Sequence, residues 1–423
     1  RTVDLGAFEL QDLVEPGSVV VTTAADVVDA GDGLTSLREA VAYANGLESV
    51  DTITFDAGLA GATIHLTQGE LVITQTVTIQ GTDDRIVDAN ADGDADSATQ
   101  GGGEGRAFNV TAGAVTLDSL VVTGGHTGGY GGGIVAAEGT ILTISDSLIT
   151  GNSAFSGGGL WSYGDVVVTE SEVTFNEAAF GGGGIGVTGD LDVSGSSFVA
   201  NRAGNSGGGI EQLYGTLTIT DSVIRANVSG SAIGGVFSTS TDWVRVTRTT
   251  IADNVAGGED TFFGGGGGIG AGYLILDSST VSGNRAIGTD TAIGGGIWGF
   301  HLQAINSTIA GNSVSGAYET LGAGLLANGS LLLASSTITG NVGTGTAAVV
   351  AGGWEDSPVE IRDSLILGNW GGGAEPDVET DSLDVTIATS LVGGDGRLIF
   401  ADTIEIAPGV FAGVLADQGG PTA

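Results

Sequence analysis

The chain has 423 residues and a formal net charge of −39; its 11 basic residues are all arginine, and it has no cysteine, methionine or lysine. A surface this acidic repels nucleic acid and anionic membranes and suits divalent cations or a saline, extracellular setting. Glycine is abundant at 79 residues but has no triplet period and only 5 prolines accompany it, which excludes collagen and argues against a disordered linker.

No apolar run is long enough to span a bilayer. Arg1 is not a translation start, so the chain is expected to be cut from something longer. Residues 1–17 read as a strand and linker. Val3 and Leu5 alternate like a half-buried strand, and with Phe8 they are the expected assembly contacts. Residues 18–60 read as a cap. A strand at Val19–Thr23 leads to a helix, with Ser36 as N-cap and Glu39 completing a capping box. Leu37, Ala40, Val41 and Ala44 give that helix one apolar stripe, and Asn45-Gly46 stops it. A strand over Thr52–Phe55 follows. Such a helix is what the open end of a stacked β structure needs.

Residues 61–400 read as coils. The first strands are Leu71–Ile73, Val77–Ile79, Phe108–Val110 and Val115–Val122. An acidic insertion interrupts them with Asp88, Asn90, Asp92, Gly93, Asp94 and Asp96. Oxygen ligands two apart around a glycine are the spacing of an EF-hand loop, so Ca2+ is the expected ion. Thr99 stands where a bidentate Glu is wanted, so affinity is expected to be weak.

From about residue 143 to 369 one pattern recurs nine times: Ser or Thr, any residue, an apolar residue, any two, then Asn. The amides are Asn152, Asn176, Asn201, Asn227, Asn254, Asn284, Asn312, Asn341 and Asn369, spaced 24 to 30 apart. Ser and the apolar residue lie two apart and share one face of a strand. Asn falls where the strand must turn, and glycine clusters such as Gly157-Gly158-Gly159 mark the corners. Self-similarity at this period predicts an all-β fold, a right-handed parallel β-helix of roughly 12 coils. Stacking at about 4.8 Å puts the nine amides in register, which predicts an internal ladder rather than nine surface turns. Residues 370–400 add about one irregular coil at Val385–Val392, and 401–423 read as a terminal strand or loop in which Ile404 and Ile406 alternate.

Gly33-Leu34-Thr35-Ser36-Leu37-Arg38-Glu39-Ala40-Val41, with Asp51-Thr52-Ile53-Thr54-Phe55, resembles the CSLREA-type domain of bacterial surface β-helix proteins, with Thr35 in place of the Cys. The Gly-Gly-Ile and Asn repeats resemble those of polymorphic outer-membrane proteins. Leu415 to Thr422 resembles the start of a choice-of-anchor segment, and Val3 to Glu9 resembles the end of one. The resemblance implies a cell-surface location and a unit in a tandem array or polymer. It implies no reaction.

Enzymatic alternatives find little in the residues. Asp146 and Glu170, six before Asn on adjacent coils, lie about 4.8 Å apart by layer spacing, but acidic decoration explains them as well. Nine equivalent serines cannot all be nucleophiles. His65, His126 and His301 share no repeat position. Trp161 and Trp298 stand at equivalent positions five coils apart, about 24 Å, too far for one sugar platform; Phe237 stands between them. The reading is therefore an extracellular structural or adhesive β-helix of a surface fibre or matrix. No catalytic residues are assigned, and the partners are copies of the chain and surface glycans. A polysaccharide-binding or polysaccharide-degrading protein is the alternative.

Overall fold

The computed structural model describes residues 17–89, 105–258, 261–352, 357–371, 377–380, 382 and 384–394, with short backbone segments at 397–400, 403–407 and 410–413. Val3, Leu5 and Phe8, and Asn90, Asp92, Asp94 and Asp96, lie outside the described residues.

The chain winds into a parallel β-solenoid of about 11 turns. One coil shows how the sequence builds it. Strand Leu160–Ser162 is followed by Asp165–Thr169, Glu172–Thr174 and the short Glu177–Ala178. Each pairs in parallel with its counterpart one repeat on: Leu160 with Ile185, Val168 with Val193, Val173 with Phe198, and Ala178 with Ala203. Alternation within each strand sends one residue in and the next out. The inward columns are Leu160, Ile185, Ile210, Val236; Val168, Val193, Ile219, Val246; and Val173, Phe198, Ile224, Ile251, all fully or almost fully buried. They belong to one apolar core that runs from Val21 to Val392.

The corners are the stereochemically demanding part. The residue before Asn is left-handed in every repeat: Gly151, Gly283, Gly311, Gly340 and Gly368, but also Phe175, Ala200, Ala226 and Asp253 at φ of 54 to 57°. The residue before Ser is left-handed too, from Asp146 (φ 45°) and Glu170 (φ 46°) to Asp363 (φ 52°). Glycine removes the Cβ clash that this conformation imposes, and the non-glycine rungs carry it as strain. In the glycine corner the demand is room. A Cβ on Gly158 would lie 2.3 Å from the Gly183 carbonyl oxygen, and one on Gly183 the same distance from that of Gly208.

At the N-terminal end, helix α1 (Leu37–Ala44) has the expected Ser36 cap and a complete capping box with Glu39. Leu37, Ala40, Val41 and Ala44 are buried in the core, so the helix closes the first layers. Strand Val20–Val21 is shorter than the expected Val19–Thr23 and pairs with Asp51–Phe55. Arg38 fixes the cap: its guanidinium grips Asp26 through two hydrogen bonds of 2.7 and 3.0 Å and also reaches the Gly69 and Glu70 carbonyls. Beyond the last full coil the pairing turns antiparallel, Leu391–Gly394 against Arg397–Phe400. Thr403–Ala407 pairs with Val410–Gly413 in a separate hairpin, in the stretch that the sequence reads as a terminal strand or loop.

Candidate functional site: two polar ladders and an aromatic cleft

The asparagine column is a continuous hydrogen-bonded ladder. Each Nδ2 donates to the next Oδ1, at 3.0 Å from Asn152 to Asn176, 3.0 Å from Asn227 to Asn254 and 2.9 Å from Asn341 to Asn369. The same Oδ1 accepts the backbone N–H of the preceding Asn, as in Asn201 to Asn227 at 2.9 Å. The second amide hydrogen goes to the preceding coil, as from Asn227 to the Phe198 carbonyl at 2.9 Å. Every donor and acceptor of a buried amide is thereby satisfied, which is the condition for burying it without cost.

The ends of the ladder meet different groups. Gly125 N–H donates to Asn152 Oδ1 at 2.9 Å. At the other end the Asp377 carboxyl lies by Asn369; burial pushes it above the usual range, and the Asn369 side chain and backbone offset this in part. The serine column forms a second ladder: each backbone N–H donates to the next hydroxyl, from Ser147 to Ser171 at 3.1 Å through to Ser364 to Ser390 at 3.1 Å. Ser390 is a rung beyond the nine repeats, because the Asn that marks them is absent from its coil.

The acidic column containing Asp146 and Glu170 is a row of exposed corner residues in left-handed geometry. Asp221 and Arg248, on adjacent coils of this column, form a bidentate pair at 2.7 Å, and the guanidinium holds the Asp221 carboxyl below its usual range. Asp88, first of the candidate calcium ligands, ends strand Val77–Asp88, and its carboxylate lies 3.1 Å from His65 Nδ1. Among the described residues no three His, Cys, Asp or Glu side chains converge as a metal cluster.

The aromatic residues are placed more informatively. Trp161 is only 4% exposed and cannot stack a ligand; its indole covers Gly186, where a Cβ would come within 2.3 Å of the ring. Phe237 and Trp298 share its column through Gly186, Glu211 and Gly270. Glu211, which the sequence reading passed over, is 3% exposed and accepts a 2.6 Å hydrogen bond from Ser206. Burial pushes its carboxyl up, offset in part by that bond. In a second row, Trp243 meets Tyr273 edge-on at 5.4 Å between centroids and Tyr273 stacks on His301 at 4.8 Å.

Around Trp161 the rings form a continuous wall. Tyr130 lies 4.9 Å from Trp161 and 6.0 Å from Phe155, which stacks on Phe180 at 5.8 Å. Beside this wall is a cleft of about 350 Å³ lined by His126, Thr127, Ser153, Phe155 and Glu177. His126, Ser153 and Glu177 occupy one column on successive coils. Ser153 Oγ is 2.6 Å from His126 Nδ1. A hydrolytic relay needs the acid behind the imidazole to orient it. Here Glu177 stands on the far side of the serine, so the column is suited to binding.

No family model and no curated protein matches the chain. Among solved structures the Dettilon tailspike protein is similar at 11% identity, over 86% of this chain and 68% of that one, with a TM-score of 0.38. A likeness that loose supports no functional inference.

Proposed function

We propose that the chain is an extracellular structural and adhesive β-helix, a unit of a cell-surface fibre or matrix joined head-to-tail to copies of itself. The observation that carries this reading is the pair of unbroken ladders, from Asn152 to Asn369 and from Ser147 to Ser390. They make a stiff one-dimensional body whose coils contact only their neighbours. The capping helix, the glycine repeats and the anchor-like termini would then serve the roles that their resemblances imply. Val3, Leu5 and Phe8 would add as a strand to the end of the preceding unit. Asp88, Asn90, Asp92, Asp94 and Asp96 would hold Ca2+ weakly where the surroundings supply it in excess.

Deleting residues 1–11 tests the contact. Folded monomers that no longer assemble support it; a truncated chain that forms the same assemblies refutes it. Glycan recognition is the second reading, favoured by the aromatic cleft. Degradation is tested by incubating the protein with anionic polysaccharides and assaying for products.

A further inference from the structure

We infer that the cleft beside the aromatic wall is a carbohydrate subsite for a neutral sugar, with Phe155 as its platform and Glu177, His126 and Ser153 as its hydrogen-bonding edge. This gives the adhesive part of the proposed function a specific site and ligand class.

Three observations converge. The first is shape. A cleft of about 350 Å³ lies at the small end of ligand pockets, roughly 300–1,000 Å³, the size of a sugar residue and not of a buried chain. The second is the chemistry of its walls. One wall is ring: Phe155 lines the cleft and is 44% exposed although it packs against Tyr130 and Phe180, themselves 40 and 47% exposed. A hydrophobic cluster that stays this open on an acidic protein presents flat apolar area to something with one apolar face. Polar groups on successive layers also line it: the Glu177 carboxylate, the Ser153 hydroxyl and the His126 imidazole. A pyranose has this division, with C–H groups on one face and hydroxyls around its edge. The carboxylate can accept from two neighbouring hydroxyls, and serine and imidazole can each donate or accept.

The third observation is charge. The net charge is −39, and Glu177 itself faces the cleft, so a uronic acid or sulfated sugar would meet repulsion. Arg202 reaches Glu177 only at 3.8 Å, with both side chains about two-thirds exposed, and does not reverse the sign. The layered build adds a direction. Equivalent positions repeat every ~4.8 Å along the axis, so a chain that seats one residue here and runs along the solenoid next meets Phe180 and then Asn205, the successors of Phe155 in the same column.

The test is calorimetric titration of the intact chain with cellohexaose, maltohexaose and mannohexaose, with hexalysine and oligogalacturonate in parallel. At least one neutral hexasaccharide should bind, and Phe155→Ala and Glu177→Gln should each weaken it by about tenfold or more, equivalent to 1.4 kcal/mol. Tyr318→Ala, a ring 84% exposed in a different corner, should leave binding unchanged. If Phe155→Ala unfolds the protein, Glu177→Gln decides, since that side chain is exposed and outside the core. The inference is overturned if no neutral hexasaccharide binds, if binding survives both substitutions, or if hexalysine binds in preference, which would make the cleft a cation–π site for a basic protein. Filaments that form without sugar binding would remove this site and leave the structural reading standing.

Discussion

A single asparagine shows how much one side chain holds in this molecule. Asn227 accepts the Asn201 backbone and side-chain N–H groups and donates to the Phe198 carbonyl and to Asn254 Oδ1. Asn227→Ala leaves several buried polar groups unmatched, each costing about 1–3 kcal/mol. A loss of about 3 kcal/mol in denaturant unfolding is expected, and a loss well below 1 would show that the ladder is ornamental. Corner residues act in the opposite direction. Ala226 sits at φ 55°, so Ala226→Gly should stabilise by about 0.5–1 kcal/mol, the relief of left-handed strain less the entropy that glycine adds to the unfolded chain. Glu211 supplies a pH dependence. Its carboxyl is raised by burial, so the fold favours the protonated acid. That contribution is fully present below the ordinary carboxylate range, about pH 4, and is lost as pH rises through the raised value. Glu211→Gln should therefore gain more in Tm over the parent at about pH 8 than at about pH 4; an equal gain at both would show that the carboxyl titrates normally.

The elements differ in how plainly the sequence announces them. The capping helix was legible to the residue, because Ser36 and Glu39 bond reciprocally within one turn and the apolar stripe has one spacing. The ladder was legible because each rung repeats three residue types at fixed offsets. The aromatic wall was not. Tyr130, Phe155, Trp161 and Phe180 occupy different columns, and only the packing of neighbouring coils joins them. Asp377 was equally hidden: it lies at the end of the amide ladder only eight residues after Asn369, where the repeat predicts nothing. Ion pairs also separate by context. The Arg38–Asp26 side chains are 16 and 1% exposed. Arg38→Met strands a buried carboxylate and should cost about 3–5 kcal/mol, detaching the cap first in hydrogen exchange. Arg248→Met breaks the exposed Asp221 pair and should leave the melting temperature within error. Equal losses would mean that the cap pair is no more buried in solution than the corner pair.

At the scale of the whole molecule the same spacing appears everywhere. Main chain, amides and hydroxyls repeat at the layer distance, so the body lengthens by adding coils without enlarging its core. About 11 turns at about 4.8 Å per layer give a rod of roughly 50–55 Å. The high negative charge keeps such rods apart side by side, and with helix α1 closing the first layers it leaves the far end as the place where β pairing can continue. The most direct measurement is electron microscopy of the purified chain over a range of concentrations. The account predicts filaments one solenoid wide with an axial repeat close to one rod length, absent when residues 1–11 are removed. Separate short particles at every concentration, or bundles joined side by side, would contradict it.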